Sequence, residues 1–596
     1  MLKDNIKAFL KKHGPVYGIL LLYVLVFLYP YLQRNLVIGA DYMYHLARIQ
    51  TIAENLRAGE FPVKIHNGMN LGYGYGSGFF YPNFFFYIPA VWMLMGISLW
   101  NAYKGFVALI ALGIALSMYH CGYYMAKKRV AGVLSAVSYL FCQPLLMDLY
   151  YRFAPGECIA FIFVPIVLVG CHNLFREEFD KPWLLGMGFL GLGLAHPVTI
   201  AGMLLLMVCM CIVHIRVFVK NPAKCRKLLI TGLVVLALSI SYWLPMVEQV
   251  MDQTFHFMEP WTNVDENVAS FCNGWIGTIH SMGYGMILMA VLGLGCVLFI
   301  VVARPQRKES FSVGILWTLI GVGMALLATW KPFWTVMRPF LNFLQFPWRI
   351  HLFACAFLCL GSVCLLLQLF GQEKIMLFMT AVISCFLIFG EVQFMQPQIK
   401  NYAGIELLDI CADATSNGGG EEWQPAGFTS AVLNSAENTT VFDDRGNGKG
   451  YTKQGSRIRF SAADFSDFGE HTADAKNTDS VKPSERSVEK YAEKSVEKYV
   501  EKSVDRTYRL PYVYYKGYRA VYYDGAGNPI EDAELMEDPE THMLLMKAVD
   551  EKTSGYYEIY YAGTLLQKVS YLVCMIAWLA LAGVLFMQYL HRKKGK

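Results

Sequence analysis

Three residue types that can act on a hydroxyl or a phosphate fall on one helical face early in the chain. In G-A-D-Y-M-Y-H-L-A-R-I (residues 39–49), Asp41, His45 and Arg48 are spaced i, i+4, i+7, which stacks them along one side of a helix. A carboxylate can take a proton from an acceptor hydroxyl, an imidazole can relay one, and a guanidinium can hold a phosphate leaving group. Asp41 and His45 are therefore the candidate catalytic residues, and Arg48 is a candidate for substrate binding. Each also has a plainer role: Asp41 as the helix N-cap, His45 as a satisfied histidine at a membrane interface, Arg48 as a contact to lipid phosphate.

Further substrate-binding candidates lie in other polar breaks between apolar runs. They are Arg152 and Glu157 in Y-R-F-A-P-G-E, His196 in A-H-P, and Arg338 and Arg349, the latter closing F-P-W-R. A loop at 247–283 adds Glu248, Asp252, Glu259, Asp265 and Glu266, any of which could be a second acid. The tract from Gly68 to Tyr81 has glycines at 68, 72, 74, 76 and 78 among aromatic residues. It suits either close backbone approach to a ligand or a seat in the headgroup zone. Neither H-E-x-x-H nor G-x-S-x-G occurs, so the chain lacks the spacing of a zinc-protease helix or a nucleophile elbow. A divalent metal held by the external carboxylates remains open.

The elements that must position these residues are membrane helices. The 596 residues are 55% hydrophobic and 16% charged, against about 25% charged in soluble domains. Mean hydropathy is +0.37. Apolar runs centre near 16–33, 103–125, 131–147, 157–174, 183–195, 198–218, 228–246, 284–303, 311–329, 350–370, 375–395 and 567–590. About 20 apolar residues cross a bilayer as a helix, so the pattern predicts a polytopic α-helical membrane protein of about 12–13 spans. Most of the fifteen cysteines fall inside these runs, with no C-x-x-C pair, and read as small packing residues. The net charge of +5 is small and gives no sign of nucleic-acid binding.

Lys3, Lys7, Lys11 and Lys12 precede the first run, which reads as an uncleaved anchor with its basic flank in the cytoplasm. Basic clusters after later runs then put both termini inside a bacterial cell membrane. The stretch 84–95 breaks the count and reads as re-entrant or interfacial. The loop 34–82, the other candidate residues and a large segment 396–566 come out on the external side.

Three regions follow: a multi-span domain 1–395 with the external loop 34–82, a β-rich extracytoplasmic domain 396–566, and a C-terminal helix with basic tail 567–596. Strand signals in the second are Arg457-Ile-Arg-Phe, Tyr512-Val-Tyr-Tyr, Tyr518-Arg-Ala-Val-Tyr-Tyr and Tyr556-Tyr-Glu-Ile-Tyr-Tyr, with a turn at Asp524-Gly-Ala-Gly-Asn. Between them a charged insert, about 470–506, carries an eight-residue repeat, SVEKYAEK–SVEKYVEK–SVDRTYRL, and reads as a solvated spacer.

The stretches G-A-D-Y-M-Y-H-L-A-R and G-E-F-P, Y-R-F-A-P-G-E, A-H-P, Q-F-P-W-R and L-P-Y-V-Y-Y-K-G-Y resemble bacterial membrane proteins labelled 6-pyruvoyl-tetrahydropterin synthase-related. That group is similar to GT-C glycosyltransferases and to YfhO-like membrane proteins. The resemblance implies a GT-C-like fold, with Asp41 at the catalytic acid position of the first external loop and a polyprenyl-phosphate-linked sugar as donor. Pterin synthase activity itself is not expected, because residues 396–566 hold only His471, His542 and Cys411, too few for a zinc-histidine site with a reactive cysteine. The expectation is a membrane glycosyltransferase passing a sugar to a cell-envelope acceptor, a glycan or wall polymer, with membrane lipids around it. The alternatives are a lipid or polysaccharide transporter, or a non-enzymatic envelope-assembly protein.

Overall fold

A computed structural model describes residues 2–32, 41–259, 262–271, 274–303, 309–402, 422–428, 440–443, 448–454, 457–461, 507–549 and 555–594. The charged insert 470–506, Cys411 and His471 lie outside them, while the last four residues of the octad repeat, 507–510, lie within them as strand. Seven helices among the described residues are long and apolar enough to cross a bilayer: Leu99–Ala126, Pro155–Arg176, Pro222–Asp252, Gly283–Ala303, Pro347–Leu369, Glu373–Gly390 and Leu565–His591. The number rises to nine if two bent pairs each make one span, Arg129–Leu140 with Gln143–Arg152 and Phe311–Leu327 with Lys331–Leu344.

The twelve or thirteen spans expected from hydropathy are therefore not all of crossing length. Pro182–Gly193 and Pro197–Val213 are shorter apolar helices, broken apart at His196 by the proline that follows it. The ambiguous stretch 84–95 holds an eight-residue helix, Tyr87–Leu94. At 1.5 Å per residue it spans about 12 Å, well short of a hydrocarbon core of about 30 Å.

Pro347–Leu369 and Pro155–Arg176 form the buried centre of the bundle, while Leu565–His591 exposes nearly all of its apolar surface and packs along Pro222–Asp252. Small residues let the central helices close up. At Gly361 a Cβ would fall 2.7 Å from the Thr318 backbone nitrogen, a separation no larger side chain allows.

The β-rich region consists of two antiparallel five-stranded sheets, ordered β2-β1-β5-β9-β8 and β3-β4-β10-β6-β7. The strands are β1 Thr440–Asp443, β2 Gly448–Gly450, β3 Thr452–Gln454, β4 Arg457–Ser461, β5 Thr507–Val513, β6 Tyr518–Tyr523, β7 Pro529–Ala533, β8 Leu535–Glu537, β9 Met543–Lys547 and β10 Tyr556–Tyr561. Both sheets feed one apolar core that includes Val441, Phe460, Tyr508, Leu544, Met546, Tyr557 and Ile559. The 524–528 turn forms as its residues suggest: Asp524 Oδ1 accepts from Ala526 N at 2.9 Å and Asn528 N at 2.8 Å.

This region is seated on the glycine-aromatic tract. Ile65, Tyr73, Phe79 and Phe80 share a buried cluster with Phe255, Phe428, Val513, Tyr515 and Met543. The Tyr515 ring takes the space that a Cβ at Gly76 would need. Beside it, Gln249 Nε2 donates to Lys516 O at 2.7 Å while Lys516 N donates to Gln249 Oε1 at 3.1 Å, and Lys516 Nζ pairs with Asp252 at 2.7 Å. The tract that reads as a headgroup or ligand loop is thus largely an internal docking seat.

Candidate functional site

Motifs separated by up to three hundred residues meet where the β-rich region rests on the bundle. The helix Tyr42–Arg57 starts at Asp41, as the sequence suggests, but the Asp41 side chain makes no capping hydrogen bond to it. Instead Asp41 N donates to Arg152 O at 2.8 Å, tying the helix start to the Y-R-F-A-P-G-E loop. That loop closes a π-helical turn, Met147–Arg152, and Pro155 then opens the helix Pro155–Arg176. Phe153 between them holds φ of 64°, a left-handed conformation that costs a bulky residue about 1–3 kcal/mol and gathers at functional sites.

Arg152 is the electrostatic centre. Its Nη1 reaches Asp148 Oδ1 at 2.6 Å and Glu157 Oε2 at 2.7 Å, both carboxylates being buried. Glu157 also gains from the first-turn position on its helix. The Trp348 ring lies 4.5 Å from the Arg152 guanidinium, so Q-F-P-W-R contributes twice. Its Arg349 stands 4.0 Å from Glu157 Oε2 through Nε and donates through Nη1 to Leu344 O and Gln345 Oε1, each at 2.9 Å. Arg349 Nε itself makes no hydrogen bond. Gln345, which accepts from Arg349, sits at φ of 60°, a second strained residue at the same place.

His196 completes this side. Its Nδ1 shares a 2.8 Å hydrogen bond with Thr199 Oγ1, and its ring meets Tyr81 edge-on at 5.8 Å. Burial pushes its pKa down to about 4 despite the opposing pull of Glu157, so it is neutral at pH 7. The Tyr81 hydroxyl rests against Gly156, where any Cβ would collide with it. This close approach explains the glycine of Y-R-F-A-P-G-E.

Asp41 is half-buried, and its pKa is raised above the ordinary carboxylate value. Desolvation is the main cause; Arg152 and Arg349 oppose it and Glu157 adds to it. His45 is buried with its ring stacked on Phe86 at 5.7 Å. Burial first, then Arg48, Arg152 and His196, hold it well below the usual histidine pKa, so it is a neutral imidazole whose Nδ1 has no hydrogen-bond partner.

Arg48 and Arg338 stand apart from this group in different ways. Arg48 is fully buried, donating to Asn83 Oδ1 at 2.8 Å and to the carbonyls of Tyr81 and Pro82 at 2.8 and 2.6 Å. Its guanidinium lies 4.3 Å from the Tyr81 ring and 3.9 Å from the Phe86 ring. It positions the 81–83 turn. Arg338 is 48% exposed on Lys331–Leu341, 3.7 Å from Asp265, and forms no ion pair with Asp41, Glu157 or Asp148 among the described residues.

Two acids of the site were not singled out by spacing. Asp148 is four residues before Arg152 on a helical turn, a signal that was present. Glu422 has no such signal: it follows a glycine run and comes into the field of Arg349, Asp41 and Arg152 only through the tertiary structure. No group of three or more His, Cys, Asp or Glu among the described residues has metal-holding geometry. As a chemical device the site offers two arginines, one of them with a buried N–H to spare, facing a carboxyl that burial keeps basic.

A protein-family comparison matches residues 14–340, a stretch that contains Asp41, Arg152, Glu157 and His196 and stops short of Arg349 and Glu422. The family is described as a family of unknown function (DUF6541). An uncharacterized protein of Lactococcus lactis subsp. cremoris (strain MG1363) is 22% identical over 201 residues, covering 33% of this chain and 33% of that relative. Neither match carries the pterin-synthase-related or GT-C names that the motifs suggest. With more than half of its 596 residues matched, the chain belongs to this family of unknown function, DUF6541.

Proposed function

We propose that the protein is a membrane glycosyltransferase that moves a sugar from a polyprenyl-phosphate donor to a hydroxyl of a cell-envelope acceptor. One observation carries the reading: the Asp41 carboxyl, free of its helix and made more basic by burial, lies in the field of Arg152 and Arg349, with its own backbone tied to Arg152 O at 2.8 Å. In the reaction, the acceptor O–H proton passes to Asp41 as the oxygen bonds the anomeric carbon. The bond from that carbon to the phosphate oxygen breaks, and the polyprenyl phosphate leaves with its charge met by Arg349. Arg152 is committed to Asp148 and Glu157, so it serves mainly to hold the local potential. His45, neutral and buried, supports the start of the Asp41 helix, and His196 and Glu157 brace the arginines. This reading makes the β-rich region the wall against which an acceptor is held.

The test is sugar transfer by membranes carrying the full-length protein, with polyprenyl-phosphate sugars as donors. Replacing Asp41 by Asn removes the base, an effect worth about 10²–10⁴-fold, while expression and thermal unfolding stay near wild type. Arg349→Met should raise the donor KM more than Arg349→Lys. Undiminished transfer in the Asp41→Asn protein rejects the reading and favours a transport or assembly role.

A further inference from the structure

Residues 422–428 form a short strap that is pinned by both regions of the molecule. Phe257 N donates to Glu422 O at 3.0 Å, His256 N to Gln424 O at 3.1 Å, and Ala426 N to Thr254 O at 2.8 Å. His256 Nε2 bonds Phe428 O at 2.8 Å. From the β-rich region, Tyr515 Oη donates to Trp423 O at 3.0 Å; from the glycine-aromatic tract, Tyr75 Oη accepts from Trp423 N at 3.3 Å. The Trp423 indole lies nearly parallel to Phe80 at 5.8 Å and to Tyr81 at 6.4 Å. A strap held by this many directional contacts has little freedom, so the place of Glu422 is set by the docking itself.

We infer that this strap completes the site: Glu422 is its second acid, a positioning residue paired with Asp41 across Arg152 and Arg349, so that the bundle and the β-rich region build one composite centre. As a statement about reaction this rests on the glycosyltransferase reading; as a statement about the two carboxyls it does not. The neighbourhood is more than a gathering of acids. Arg349, the foremost charge acting on Glu422, carries a buried Nε with no hydrogen-bond partner, and a buried polar atom in that state calls for a ligand or water oxygen.

The charges facing Glu422 are Arg349, Arg152 and Asp41, with the Tyr44 and Tyr75 hydroxyls also in its field. Its pKa is raised, first by burial and then by Asp41, with the two arginines opposing. Two like charges in one pocket do not form together at the same pH. An ionised Asp41 therefore makes Glu422 harder to ionise.

The experiment is labelling of the full-length protein with dicyclohexylcarbodiimide, which attacks protonated buried carboxyls, followed by peptide mass spectrometry across pH. Glu422 should stay reactive to higher pH than an ordinary glutamate does. Asp41→Asn removes a repelling charge and should shift the loss of Glu422 labelling to lower pH by about one unit; Arg349→Met removes an attracting charge and should shift it the other way. Opposite shifts cannot come from general loosening of the fold. The pairing is overturned if the Glu422 profile is unmoved in both variants, or moves the same way in both. In the transfer assay, Glu422→Gln should alter the alkaline limb of the pH profile, with Glu422→Asp restoring it. Absence of transfer in the wild type would reject the glycosyltransferase reading and leave the labelling result standing.

Discussion

Arg48 and Arg152 are both guanidinium groups in the same end of the molecule, yet their surroundings have opposite logic. Arg152 meets two buried carboxylates within 2.7 Å. Arg48 meets an amide oxygen, two backbone carbonyls and two aromatic faces, with Nη1 left unpaired. Solvent is excluded from Arg48 more fully than from Arg152, whose side chain is 17% exposed. The paired arginine, in reach of solvent and of Asp41, organises charge. The unpaired one organises shape: it fixes the turn that delivers Tyr81 onto Gly156 and His196. A basic residue near an acid in sequence can therefore be scaffold, while one a hundred residues away is its electrostatic partner.

The comparison is broken most directly by removing each charge in turn and following unfolding in detergent. Arg152→Met takes from Asp148 its 2.6 Å partner and leaves Glu157 only Arg349 at 4.0 Å, and should cost about 3–5 kcal/mol. Arg48→Met strands carbonyl and amide oxygens but no charge, and should cost less, about 2–3 kcal/mol from unmet buried acceptors. A larger loss for Arg48→Met would reverse the assignment of the two roles.

Lys64 sharpens the contrast, because it is buried with a single backbone acceptor, Ser241 O at 3.1 Å. Burial pushes its pKa down to about 7 from 10.5. Between those values the unfolded chain binds the proton and the folded protein does not, so stability should rise with pH by up to about 1.4 kcal/mol per unit. Below pH 7 both states are protonated and the slope vanishes. Lys64→Met should flatten the rise seen between pH 7 and 9; an unchanged slope in that variant assigns the rise to other groups. At the small end, the exposed Arg338 with its 3.7 Å contact to Asp265 should lose less than about 1 kcal/mol on replacement by Ala, and transfer by the Arg338→Ala protein should match wild type.

Local signals were legible to the residue in places. Strands β6 and β10 coincide with the tyrosine-rich runs 518–523 and 556–561, β4 begins at Arg457, and the Asp41 helix starts where its cap suggests. Alternation and capping are properties of a few neighbouring residues, so a linear reading captures them. The span count was less legible, since an apolar run has the same hydropathy whether it crosses a bilayer or packs as a short helix within the bundle. The glycine-aromatic tract misled for a related reason: glycine permits close approach without saying what approaches, and here it is Tyr515.

By itself the sequence determined the apolar helical character of the chain, its β-rich segment, and Asp41 at the head of a helix. Tertiary structure alone decided that Arg152 and Arg349, and not Arg48, are the arginines whose charge acts on Asp41, that Arg48 holds the 81–83 turn, and that the backbone at Glu422 is fixed by the strap. The division has one physical cause. Periodicity and capping act through the backbone over a few residues, whereas charge pairing in a buried site acts through space, and the chain between Asp41 and Glu422 carries no trace of the distance that folding removes.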